Sequence, residues 1–160
     1  MKNNKHTAIG LSTAGSEQLA ELLNGLLADF QLYYQNLRGF HWNVRGQHFF
    51  ELHARFEQLY TEAQENIDSI AERILTLGYT PLHTFEDYRK VSDIPAHRNL
   101  TDGKATVKAL VEILQSLLIR ERKALQLAQE AADEGTVELL TGLISAQEKH
   151  VWMQRAWLNE

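Results

Sequence analysis

Both prolines of the chain, Pro81 and Pro95, fall inside one stretch, residues 79–101. Outside it no proline breaks the backbone, and apolar residues recur at three- and four-residue spacing over long windows. From Ser16, a fair N-cap, Leu19, Leu22, Leu23, Leu26, Leu27, Phe30, Tyr34 and Leu37 make one stripe, predicting a helix to about Val44, where Arg45-Gly46 breaks it. A second helix is predicted from Phe49 to Leu77, striped by Leu52, Phe56, Leu59, Tyr60, Ala63, Ile67, Ile70 and Ile74 and ended by Gly78. A third runs from Gly103 to Ala132 and a fourth from Thr136 to Leu158, with Gly135 between them. Thr84-Phe-Glu-Asp87 has the pattern of a capped short helix within the long connection. Two short turns and one long crossover predict an all-α, four-helix bundle of ferritin-like connectivity, with a short helix in the B–C crossover. Residues 1–15 are expected to be a flexible tail and 16–160 a single domain.

The composition narrows the chemistry. There is no cysteine, so disulfides, thiolate metal sites and cysteine nucleophiles are excluded, leaving histidine and carboxylates as the strong metal ligands. The formal charge is −5, which disfavours nucleic acid and anionic membranes and suits cations. The sequence offers no signal-peptide core at its N-terminus and no run of about 18 apolar residues, so the expected compartment is the cytoplasm.

The candidate chemical residues pose a distance problem. His41 ends the first predicted helix; His53 and Glu57 open the second. Asp68 and Glu72 lie further along that second helix. A continuous helix separates His53 from Asp68 by roughly 22 Å, whereas metal–ligand bonds are about 2 Å. At 100° per residue His53, Glu57, Asp68 and Glu72 share one face within about 100° of arc, at the edge of the apolar stripe. Ionised groups there are expensive unless paired or bound to a cation. Two readings stay open on the residues alone: a solvated or salt-bridged helix edge, or half-sites completed by a second subunit. The Glu-x-x-His pattern of single-chain di-iron bundles does not occur, nor does His-Glu-x-x-His. His48 reads as a surface residue and His150 as a packing or interface residue, while His6, His83 and His97 fall in the tail or loops.

The run NLRGFHWNVRGQHFFELHARFEQLY (residues 36–60), followed by NIDSIAERILTLG (residues 66–78), resembles the signature of the Dps family, the mini-ferritins named as DNA-binding proteins from starved cells. The likeness extends over residues 16–158, through TFEDY in the crossover and EKHVWM near the end of the fourth helix. It implies a dodecameric shell that oxidises Fe²⁺ with hydrogen peroxide, or less efficiently with dioxygen, and stores the ferric mineral inside. It implies ferroxidase centres at two-fold interfaces, with His41, His53 and Glu57 from one subunit and Asp68 and Glu72 from its partner. Glu57 departs from the Asp of several members; the carboxylate is kept but moved by a bond length. Trp42 matches the aromatic residue beside the centre that intercepts oxidising equivalents. Glu134 and Glu138 match the acidic lining of the iron pores, although a bare pair at a helix N-terminus also complements the helix dipole. Zn²⁺ is a possible competitor at the centre.

Two other readings compete with iron oxidation. A nucleoid-type DNA-binding protein would need a basic arm, and residues 1–15 carry only Lys2 and Lys5, so stable DNA binding is not expected. A helical scaffold without metal chemistry would leave ferrous oxidation no faster than buffer.

Overall fold

The computed structural model describes residues 5–160. Five helices carry it: α1 (Thr13–Asn43), α2 (Phe49–Thr76), α3 (Phe85–Val91), α4 (Gly103–Glu130) and α5 (Glu134–Leu158). No β-strand forms among the described residues, only two isolated backbone bridges. The fold is the expected all-α bundle with a short helix in its long crossover. The first four residues of the expected tail lie outside the described residues. Residues 5–12 fold back on the start of α1 through Thr13 N–H to Lys5 O.

α1 and α2 form one antiparallel pair and α4 and α5 another; α1 also packs on α4, and α2 touches α5. The stripes meet in a core where Phe30, Phe56, Leu23, Leu110, Leu114 and Leu140 are completely buried. Each such side chain contributes about 1.5–3 kcal/mol through burial. The turns follow local chemistry. Gly78 adopts φ +92° after α2, and Tyr79 N–H closes back on Ile74 O. Asp102 caps α4 through Ala105 N–H, and Thr84 caps α3 through Asp87 N–H.

α1 begins one turn earlier than its sequence suggests. Ser12, not Ser16, occupies the cap position, and Ser16 is buried within the helix with its hydroxyl unpartnered. Residues 13–15 contain no breaker strong enough to stop the helix, and Gly15 fits against Ala131 of the α4–α5 turn.

Three polar residues on α1 fix the crossover. Asn24 receives Leu82 N–H and donates to Thr80 O. The buried Asp29 accepts from Ser92 Oγ and from Asp93 N–H. Asn36 donates to Pro95 O at 2.8 Å and accepts from His97 N–H at 2.8 Å. Each satisfies backbone groups that no helix or sheet would otherwise pair. Arg120 of α4 crosses α1 to reach Asp29 at 2.8 Å, passing where a Cβ on Gly25 would lie only 2.1 Å from its guanidinium. A side chain at that point of α1 would push the Arg120 guanidinium out of this ion pair.

Candidate metal centre

The five-residue turn between α1 and α2 folds the chain back on itself, with Gly46 at φ +107° and Arg45 N–H held by Thr101 O. The end of α1 thereby faces the start of α2. His41 and His53 meet across the turn with their rings stacked, centroids 3.7 Å apart and planes 19° from parallel. His41 Nδ1 lies 2.7 Å from the carbonyl oxygen of His53, and His53 Nδ1 lies 2.8 Å from the carbonyl oxygen of His41. A carbonyl only accepts, so each Nδ1 carries its ring's hydrogen. Each Nε2 then presents a lone pair, the form in which imidazole binds a metal.

Aromatic rings hold this pair from both sides. Phe49 stacks on His53 at 5.1 Å, and Tyr60 sets its edge against His41 at 5.3 Å. In the core, Phe40 of α1 and Phe56 of α2 pack against each other at 5.6 Å. The Tyr60 hydroxyl sits above the usual phenol range, first because it is drawn out of water and then because the Glu57 carboxylate lies beside it. His41 is buried and His53 half-buried, whereas Glu57, Asp68 and Glu72 are exposed along the outer face of α2. Among the described residues no three His, Cys, Asp or Glu side chains converge on one point within the chain. Two imidazoles thus come together, and the three carboxylates do not join them. Imidazole suits iron and zinc alike, but two ligands leave a transition ion's coordination shell half empty.

Trp42, next to His41, points outward and is 56% exposed. The Arg38 guanidinium lies over its ring at 4.7 Å and over Tyr34 at 5.3 Å. Glu134 and Glu138 are exposed on the first turns of α5.

Two clusters escaped the sequence reading. Arg73, adjacent to Glu72, reaches the buried N-cap of α5: its Nη2 bonds Asp133 Oδ1 at 2.6 Å and its Nε bonds Thr136 Oγ1 at 2.8 Å. A Cβ on Gly135 would lie 2.8 Å from this guanidinium. The Asp-x-x-Thr cap at residues 133–136 was a visible signal; its arginine partner was not. In the second cluster His150 donates from Nε2 to Glu62 at 2.9 Å and accepts at Nδ1 from Arg55 at 3.0 Å. That hydrogen bond holds the Glu62 carboxyl below its ordinary range. Both nitrogens of His150 are thus occupied by protein.

Comparison with known proteins agrees with this architecture. A family described as Ferritin-like domain matches residues 20–160. The DNA protection during starvation protein of Porphyromonas gingivalis is 47% identical over 138 residues, covering 86% of this chain and 87% of that one. DNA protection during starvation protein 2 of Bacillus anthracis is 39% identical, covering 91% and 99%. The crystal structure of a Dps protein from Vibrio cholerae O1, described as a member of a broad superfamily of ferritin-like diiron-carboxylate proteins, superposes with a TM-score of 0.96 at 47% identity over 99% of both chains. The bundle, its crossover helix and these relatives place the chain in the Dps family of ferritin-like proteins.

Proposed function

We propose that this protein oxidises Fe²⁺ at centres shared between two subunits and stores the ferric product inside a dodecameric shell in the cytoplasm. The observation that carries the reading is the reciprocal His41–His53 pair: two prepared Nε2 donors at a point where the described residues of one chain offer no third ligand. Two copies of α2 packed antiparallel across a two-fold axis would bring Asp68 and Glu72 of one copy to the imidazoles and Glu57 of the other. Such an interface is reciprocal and creates two equivalent sites. Among the described residues no helix is long and apolar enough to cross a membrane.

The residues divide the work. His41 and His53 hold the ion through neutral nitrogen, and the carboxylates supply negative charge that favours the ferric product over the ferrous substrate. Two ferrous ions each give one electron to hydrogen peroxide, which takes up two protons and leaves as two waters. Dioxygen is the slower oxidant. Paired electron delivery avoids releasing hydroxyl radical, and Trp42 intercepts an oxidising equivalent that goes astray. Glu134 and Glu138 would line the entry by which iron reaches the interior. Zn²⁺ would compete for the same nitrogens.

The test is direct. Purified protein is mixed with Fe²⁺ without oxygen, peroxide is added, and ferric absorbance is followed. Wild type should oxidise far faster than buffer, and His41→Ala and Asp68→Ala should both be slow. A wild-type rate equal to buffer would leave only a scaffold. Native mass settles the size of the assembly.

A further inference from the structure

Glu121 of α4 is completely buried, and so, almost completely, is Gln147 of α5. Gln147 Nε2 donates to Glu121 Oε1. The two remaining atoms, Glu121 Oε2 and Gln147 Oε1, are buried and have no partner. An ionised carboxylate only accepts, and an amide oxygen only accepts. As a carboxylate, Glu121 would leave both acceptors orphaned and a full charge in the core, an arrangement that interiors penalise heavily.

Among the described residues no cation forms an ion pair with Glu121, and Arg122 acts on it only at a distance. Arg120 is engaged by Asp29 and Asp93, and Arg122 turns outward to Glu148 on the surface. On the facing helices stand Tyr33 of α1, itself buried beside Glu121 and Glu62, and the chain Arg55–His150–Glu62, in which Arg55 Nη2 is taken by His150 and Arg55 Nε is buried without a partner. A single proton on Glu121 Oε2 supplies the missing donor for Gln147 Oε1 and removes the charge. Acid and amide then face each other through two hydrogen bonds in a closed ring.

We propose that Glu121 is carried as the neutral acid inside the bundle, closing a two-bond pair with Gln147, and that this pair is a proton-held clasp between α4 and α5 that loosens in alkaline solution. Burial supports the assignment by pushing the Glu121 carboxyl up from 4.5 to about 8. The sign follows from linkage. The folded chain keeps this proton over a range in which the unfolded chain has lost it. Stability from this group is complete below 4.5 and is lost as pH rises to about 8. Across that range the folding equilibrium falls by up to about tenfold per pH unit, and it levels off above.

Infrared spectroscopy of the full assembled protein in heavy water tests this. A protonated-carboxyl band should be present in wild type in mildly acid solution, shift on labelling with ¹³C-glutamate, and vanish with a midpoint near 8. Glu121→Gln keeps both hydrogen bonds as an amide pair. It should lack the band, and its denaturant midpoint should lose the alkaline slope of wild type. Absence of the glutamate band in mild acid would mean an ionised carboxylate held by buried water or a cation, and would overturn the proposal. Equal pH slopes in the two proteins would overturn the clasp. Should Glu121→Gln not fold, the isotope shift and titration of the wild-type band still decide the protonation state.

Discussion

Arg73, next in sequence to Glu72, is bound to Asp133 at 2.6 Å, so the outer end of α2 is fastened to the N-cap of α5. Asp133 is 2% exposed and serves two masters, the guanidinium and the Thr136 N–H at the start of its own helix. Removing one member of a buried ion pair leaves the other charged and unmatched. Arg73→Ala should therefore destabilise the chain by about 3–5 kcal/mol, and Asp133→Ala should lose a further ~1 kcal/mol of capping. Denaturant unfolding measures both.

The proposed sharing of each centre between two subunits makes a mixing experiment decisive. A His41→Ala chain paired with an Asp68→Ala chain forms one site with both defects and one with neither. Co-expression of the two inactive chains in equal amounts should restore about a quarter of the wild-type centres. Ferrous oxidation per subunit reads the result. Activity no higher than that of either parent would show that each centre lies within one chain.

The sequence made the helices legible because their stripes are long and only one segment contains proline. It made the histidines legible by type, but not their relationship. Twelve residues separate His41 from His53, and only the geometry of the intervening turn decides that each ring meets the other's carbonyl. Asn24, Asp29 and Asn36 read as mere interruptions of an apolar stripe, because their partners are backbone groups of a loop whose path no periodicity encodes. The start of α1 was misplaced for a similar reason: Ser12 and Ser16 carry the same chemical signal, and packing against the α4–α5 turn chooses between them.

Acid should act through Glu62. Its carboxyl is held below 4.5, chiefly by the hydrogen bond from His150. A lowered folded value contributes stability above the unfolded value, and that stability is lost as pH falls through the folded one. Glu62→Gln should be less stable than wild type near neutrality, and the gap should close in acid. Thermal midpoints measured over a descending pH series would expose a gap that stays constant.

DNA should not be retained under physiological salt. The formal charge is −5, and the first fifteen residues contain two lysines. Repeated over an assembly, those lysines provide avidity that counterions erode. A mobility shift should be absent at about 0.15 M salt, where the Debye length is ~8 Å. A retarded band that survives this salt would restore the DNA-binding reading.

The crossed bonds of His41 and His53 tie the fates of the two rings. Deleting either imidazole strands one carbonyl and removes the ring stacked on the survivor, whose own bond to the backbone carbonyl of the substituted residue remains. One substitution thereby removes one donor and the stacking support of the other, and the double variant should fare worse than either single one. In the proposed centre the pair would act as a chelating unit whose geometry is set by the meeting of two helix ends.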